Sequence, residues 1–411
     1  MTDYLSQILT IFLKRNKQMI QQINYFKDLE KFLNSSLQSH QALHITLSLN
    51  QIGAEGASVL GLGLGKCIDL SNLQLYLGQN QISDQSSLDL GSGLEKCTNF
   101  SNLKLYFSIR LYELLGAFKD ICGKKKSRSI QESKMLIYKG DTQIGKNQIG
   151  AEGALGLFSG LGKCTNLSNL TLDLHQNQIG AEGASALGFG LGNCTNLQNL
   201  KLYLGSNQIG DEGIQGLGSG LAKCTNLSNL TFNFSENQIG DKGALGLGFV
   251  FNKWTNLSIL TLYLHQNQIG TEGASGLCSG LGKCTNLSDL TLDLNNNQTG
   301  ALGSFGLEKC TNLQNLTLLL GNNQIDDEGT SVIGFVLVKC TNIQNLTLHL
   351  HYNQINDEGS SNLGCSLLKC TNMLNLTLNL YQNEINKKQQ LKVKNKILKS
   401  QRLVAFKFNQ W

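Results

Sequence analysis

Proline is absent from this chain of 411 residues. It therefore carries no polyproline ligand and no stiff proline-rich linker between domains. Arginine is nearly absent: Arg15, Arg110, Arg128 and Arg402 are the only ones. No run of about 18 apolar residues occurs, so no membrane-spanning helix, and no membrane partner, is expected. The opening stretch MTDYLSQILTIFLKRN is a poor secretion signal. Asp3 stands where positive charge is expected, and Ser6, Gln7 and Thr10 interrupt the apolar run. The expectation is a cytoplasmic, non-secreted protein, with nuclear or cytoskeletal association left open. The Asn-x-Ser/Thr triplets, such as Asn166-Leu167-Ser168, are then by-products of the repeat.

The twelve cysteines contain no CxxC pair, and the six histidines show no zinc-type spacing, so no metal and no cofactor is expected. The string SGLGKCT suggests a phosphate loop. It has Leu157 where the first glycine belongs and Cys164 where Ser or Thr must follow Lys163.

Charge is unevenly spread. Residues 1–38 carry a net +2, residues 108–146 carry +5 and residues 387–411 carry +8, while the remainder carries −10. A nucleic-acid binder shows a basic stripe along its main surface. This body shows the reverse, so no nucleic-acid partner is expected.

A repeat is what the sequence does contain. Cys164, Cys194, Cys224, Cys284, Cys340 and Cys370 each open a C-T-N motif, mostly at 30-residue steps. Trp254 takes the cysteine place once, Cys67 and Cys97 extend the series, and Cys310 comes four residues early because the unit from Asn297 is short. Within one period Leu170, Leu172 and Leu174 alternate with Thr171 and Asp173, which is strand periodicity. Ala184, Leu187 and Leu191 then follow one helix face. A lone strand–turn–helix unit cannot bury its apolar side. Stacked units place their strands in one parallel sheet with the helices behind.

Asparagine recurs after each strand, at Asn50, Asn80, Asn147, Asn177, Asn207, Asn237, Asn267, Asn297, Asn323, Asn353 and Asn383. An amide there can accept from one coil's backbone N–H and donate to another coil's carbonyl, so these residues read as a structural ladder. The pattern LxxLxLxxNxI, followed by N-Q-I-G-x-E-G and a full helix, resembles the ribonuclease-inhibitor-like class of leucine-rich repeats over roughly residues 43–386. The resemblance implies an α/β horseshoe solenoid of about 12 repeats, with strands on the concave face and helices on the convex face. Two departures are visible: an added apolar strand position such as Leu174, and helices rich in glycine, as at Gly188, Gly190 and Gly192. Glycine costs about 0.5–1 kcal/mol relative to alanine inside a helix, so these helices should depend on stacking.

The ends and one unit deviate. Leu5, Ile8, Leu9, Phe12 and Leu13 have helical spacing, so residues 1–38 read as a helical cap, residues 39–386 as the array and residues 387–411 as a basic cap or tail. At 108–146 Arg110 replaces the ladder asparagine and the next one comes 37 residues later. Leu111, Leu114, Leu115, Phe118 and Cys122 keep helical spacing there, and KKKSRS reads as an exposed loop. A functional insertion, a degenerate repeat and a translated non-coding segment all fit.

Candidate chemistry is sparse. Nine cysteines share one repeat position, which suits a small buried hydrophobe. The acidic pairs Asp211-Glu212, Asp326-Asp327-Glu328 and Asp357-Glu358 precede convex helices, where acids suit the helix dipole better than catalysis. His349 and His351 point to one strand face and could hold a metal only with a third, poor ligand such as Asn379 or Tyr381. The outward strand positions are richer. Tyr76, Tyr106, Asp173, Tyr203, Tyr263 and His349 fall in one row, and His175, His265, His351 and Tyr381 in the next, with Tyr352 beside them. Tyrosine is enriched in binding hot spots. It also simply suits a half-exposed strand.

A non-enzymatic, monomeric scaffold or regulator that binds another protein on Tyr76, Asp173, His175, Tyr203, Tyr263, His265, His349, His351, Tyr352 and Tyr381 needs only this curved surface. Two alternatives stand beside it. One is a GTPase-activating protein resembling the Ran activators, although no arginine lies on a regular strand to act as a finger. The other is an axonemal or cytoskeletal component anchored by the basic tail.

Overall fold

The computed structural model describes residues 23–108, 147–300, 306–400 and 402–409. Its strands are β1 (Ile23–Phe26), β2 (Ala42–Thr46), β3 (Asn72–Tyr76), β4 (Asn102–Tyr106), β5 (Asn169–Asp173), β6 (Asn199–Tyr203) and β7 (Asn229–Asn233). They continue with β8 (Ile259–Tyr263), β9 (Asp289–Asp293), β10 (Asn315–Leu319), β11 (Asn345–His349), β12 (Asn375–Asn379) and β13 (Ala405–Asn409). All lie in one parallel sheet in sequence order. Leu200 pairs with Leu230, and Leu230 in turn with Leu260, so equivalent side chains stack in rows. In β8 Leu260 and Leu262 are buried, as is Leu264 just after it, while Thr261 and Tyr263 between them are half-exposed. The alternation read from sequence is thus a strand with one face in the core.

Behind the sheet run α1 (Leu29–Leu33), α2 (Gly53–Leu64), α3 (Asp84–Leu94), α4 (Ala151–Leu161), α5 (Gly180–Leu191) and α6 (Gly210–Leu221). They are followed by α7 (Asp241–Phe251), α8 (Thr271–Leu281), α9 (Asp327–Lys339), α10 (Asp357–Leu368) and α11 (Lys387–Ile397). The short unit has only a 3-10 turn at Leu307–Lys309 among its described residues.

The helix glycines are contact residues. A Cβ on Gly220 would lie 1.9 Å from the Gly188 carbonyl oxygen, and one on Gly280 would lie 2.0 Å from that of Gly248. Neighbouring helices therefore meet backbone to backbone. A horseshoe bends because helices need about 8–10 Å of width where strands need about 4.8 Å. Glycine contacts narrow the convex layer and so flatten the bend. The glycines weaken each helix alone, and those that face a neighbouring backbone, such as Gly220 and Gly280, are required for the stack.

The asparagine ladder works as expected in the body of the array. Buried Asn237 accepts from the backbone N–H groups of Asn207 (3.0 Å) and Ile209 (3.2 Å) and donates to the carbonyls of Leu204 and Ser235, both at 2.9 Å. Asn50 departs from the expectation. It is exposed and donates only to Ser48 O within its own coil, because no ladder position precedes it among the described residues.

Asn147 changes the reading of the irregular unit. β4 pairs directly with β5, Leu103 opposite Leu170. Asn147 donates to the Phe107 carbonyl at 2.7 Å and accepts from Ile82 N at 2.9 Å. It is therefore the ladder asparagine of the β4 unit, and Arg110 replaces nothing. A regular unit is interrupted between Ser108 and Asn147 without a strand being added to the sheet. The helical run Leu111 to Cys122 and the KKKSRS loop lie outside the described residues.

Other contacts between coils were not foreseen. The first residue of most strands forms a second amide ladder: Asn102 donates to Asn72 at 2.7 Å, Asn199 to Asn169 at 2.6 Å and Asn345 to Asn315 at 2.6 Å. The asparagine of C-T-N forms a third, for example Asn226 Nδ2 to Thr195 O at 3.0 Å. The cysteine rows are more than filler. The Cys224 thiol donates to Leu191 O at 3.2 Å, and the Trp254 indole N–H makes the same contact to Leu221 O at 3.3 Å. Burial pushes the Cys224 thiol up to about 11 and the Cys194 thiol up to about 12, which keeps both protonated as donors. Several acids at the convex helices cap the following helix, while Asp326 caps its own by accepting from Gly329 N at 2.9 Å. Asp211 Oδ1 accepts from Gly240 N (2.7 Å) and Gly243 N (2.8 Å), and Asp241 does the same to Gly270 and Gly273 one coil on.

The caps differ from the helical reading at the amino end. Residues 1–22 lie outside the described residues, and Ile23–Phe26 is a strand that pairs with β2. Only Leu29–Leu33 is α-helical in the rest of that segment. At the other end α11 covers the last coil and β13 adds a strand beside β12.

Candidate functional site

The outward strand residues form one face, and the predicted residues fall on it in three groups. Across β1–β4, Tyr76 stacks on Tyr106 with ring centres 4.5 Å apart and planes within 14°. His44 stacks on the other side of Tyr76 at 5.2 Å, and Tyr25 lies 5.0 Å from His44. His44 and Tyr25 were not singled out in the sequence. Their signal, an outward ring at one end of the array, depends on recognising β1. Burial, with Lys104 and Lys27 near, holds the His44 pKa below its usual value.

The second group lies on β5–β9. His175 sits edge-on to Tyr203 at 5.8 Å, and its Nε2 is 3.3 Å from Asn233 Nδ2. The imidazole lies where a Cβ on Gly205 would meet it at 2.8 Å, so that glycine makes room for the ring. Tyr203 and Tyr263 are half-exposed. Asp173 departs from the expectation of an open contact residue. It is 3% exposed, accepts from Ser108 Oγ and receives the His175 backbone N–H at 3.3 Å. Asp173 thus fixes the loop after its own strand.

Asp293 is also buried and links the second group to the third. Its Oδ2 is 3.1 Å from His265 Nδ1, and this hydrogen bond raises the histidine's pKa above 6.5 against the opposing effect of burial. The same carboxylate acts electrostatically on His349 and His351, where burial dominates and lowers both pKa values. His351 lies 6.1 Å from His349 and 5.8 Å from Tyr352, which meets Tyr381 edge-on at 5.6 Å. Tyr352 stands 53% exposed on a left-handed backbone (φ 54°), so its ring projects from the face. Among the described residues no group of three or more His, Cys, Asp or Glu side chains could hold a metal ion. The face offers flat rings with polar tips, imidazoles of differing charge and threonine hydroxyls between them.

The family model "Leucine Rich repeat" matches six segments, residues 43–61, 166–188, 196–218, 226–248, 255–278 and 342–364. Each begins within or just ahead of one of the strands above and runs into the helix that follows. The chain is a leucine-rich-repeat protein. Among solved structures it is similar to the TLR13 chain of a TLR13–ssRNA13 complex, at 17% identity over 83% of this chain with a TM-score of 0.42. It spans about 40% of that chain's length. It is also similar to a protein from Bacteroides fragilis, at 14% identity over 76% of both chains with a TM-score of 0.34. No curated protein sequence matches it. Among the described residues no helix is long and apolar enough to cross a membrane.

Proposed function

We propose that this leucine-rich-repeat chain is a non-catalytic binding module of the ribonuclease-inhibitor-like kind that holds another protein on its strand face. The observation that carries the reading is the row of exposed and half-exposed rings and imidazoles on that face, from Tyr25 and His44 through His175, Tyr203 and His265 to Tyr352 and Tyr381. Rings held by their neighbours lose little freedom on binding and bury large areas, which suits them as anchors. The partner would meet a surface whose buried carboxylates are already satisfied, so contact falls to the aromatic tips. An intracellular setting fits eleven cysteines that are free among the described residues.

The reading is tested by capture from lysate with the wild type and with the Tyr203→Ala/Tyr263→Ala/His265→Ala variant. Partners bound by the wild type and lost by a variant that still melts cooperatively support the strand face. Identical partner sets from both proteins reject it.

A further inference from the structure

We propose that the last coil docks on an anionic membrane surface. Its helix α11 buries Val393 and Ile397 against the array. At 100° per residue, Leu391 and Leu398 fall on the opposite side, and they are 53% and 54% exposed. Lys387 and Lys394 flank this leucine stripe on one side, and Lys388, Lys392 and Lys399 flank it on the other. Val404, in the link before β13, is a further exposed apolar residue of this coil, at 81%. No acidic residue occurs from Asn386 to Asn409. Among the described residues Lys388, Lys392, Lys394, Lys399 and Lys407 form no ion pair.

The helix before α11 begins with Asp357 and Glu358, as the dipole favours. α11 begins with Lys387 and Lys388 and has no acid in its first turn. The carboxylate at that end comes from the preceding coil, where Asp357 Oδ1 accepts from Asn386 N at 2.9 Å, and the two lysines extend the cationic rim of the leucine stripe. A soluble polyanion would need only the lysines. Two leucines left in water among those lysines fit the boundary between lipid headgroups and acyl chains, where apolar side chains insert while cations meet anionic heads. Among the described residues no helix is long and apolar enough to cross a bilayer, and lying on one needs no such segment.

The test is co-sedimentation of the full chain with vesicles of phosphatidylcholine alone and of phosphatidylcholine with about 30 mol% phosphatidylserine, an anionic surface of physiological kind. Wild type is expected to pellet only with the anionic vesicles. Leu391→Gln/Leu398→Gln, which leaves Val393 and Ile397 in place, should bind at least about tenfold more weakly. Lys388→Gln/Lys392→Gln/Lys399→Gln should lose roughly fivefold per cation removed. Unchanged melting of both variants would show that the fold is intact. Absence of pelleting with anionic vesicles would overturn the proposal. So would leucine variants that pellet like wild type while heparin displaces both equally, since the surface would then read charge alone.

Discussion

His265 donates from Nδ1 to the carboxylate of Asp293 on the following strand, at 3.1 Å. The ionised carboxylate can only accept, so the ring carries its proton on Nδ1. The contact raises the histidine's pKa above 6.5. Its stabilisation is therefore fully present below the unfolded value and is lost as pH rises through the folded-state pKa. His349 and His351 have lowered values and act in the opposite sense, favouring the folded state above pH 6.5 and opposing it as pH falls. The difference in melting temperature between wild type and His265→Gln should thus be larger at pH 5.5 than at pH 8. Differential scanning calorimetry at both values checks this, and a pH-independent difference would remove the ion pair from the account.

Glycines of the convex helices should divide by what faces them. Gly220→Ala places a methyl 1.9 Å from the Gly188 carbonyl oxygen, which belongs to rigid backbone. A loss of at least about 1–3 kcal/mol is expected, with the neighbouring helix displaced. Gly246→Ala meets first the Gln215 Cγ at 3.1 Å, on a side chain that can turn away. There the helix-propensity gain of about 0.5–1 kcal/mol should leave stability equal or improved. Urea unfolding of both variants decides the matter.

The ladder makes a similar pairwise prediction. Asn237→Ala leaves two backbone N–H groups and two carbonyls, all of buried residues on two adjacent coils, without their side-chain partner. About 2–4 kcal/mol should be lost. Asn50→Ala removes one exposed bond to Ser48 and should change stability by less than about 0.5 kcal/mol. Equal losses at the two positions would mean that the ladder geometry is not what holds these turns.

Periodicity carried the legible part of this protein. Alternating leucines in β8, the recurrent Asn237 position and the Leu187–Leu191 helix face each follow from a repeat whose apolar side must be covered. What escaped were relationships between coils, because spacing along a chain does not say which side chain reaches the next turn. Asp211 looks like an acid for its own helix dipole, yet it caps the helix one coil later. Asn199 reads as an ordinary polar strand residue, yet it donates to Asn169 beside it. Sequence left the segment after Ser108 open between an insertion, a degenerate repeat and a translated non-coding segment, because only the pairing of β4 with β5 shows that Asn147 completes the unit. Of the candidate site, the rings on strands recognised as repeats, such as Tyr76, Tyr203 and Tyr263, were legible from strand alternation, and Tyr25 and His44 were not. The satisfaction of Asp173 by Ser108 was not, since it depends on the loop that follows the strand.

Site-specific photo-crosslinking tests the central claim most directly. A photoreactive phenylalanine analogue placed at Tyr203, Tyr263 or Tyr352 samples the strand face, and the same group at exposed Phe189 or Phe249 samples the helix face. The account predicts that one partner protein is captured in lysate from the strand-face positions and not from the helix-face positions. Capture from Phe189 and Phe249 with none from the strand face would contradict it.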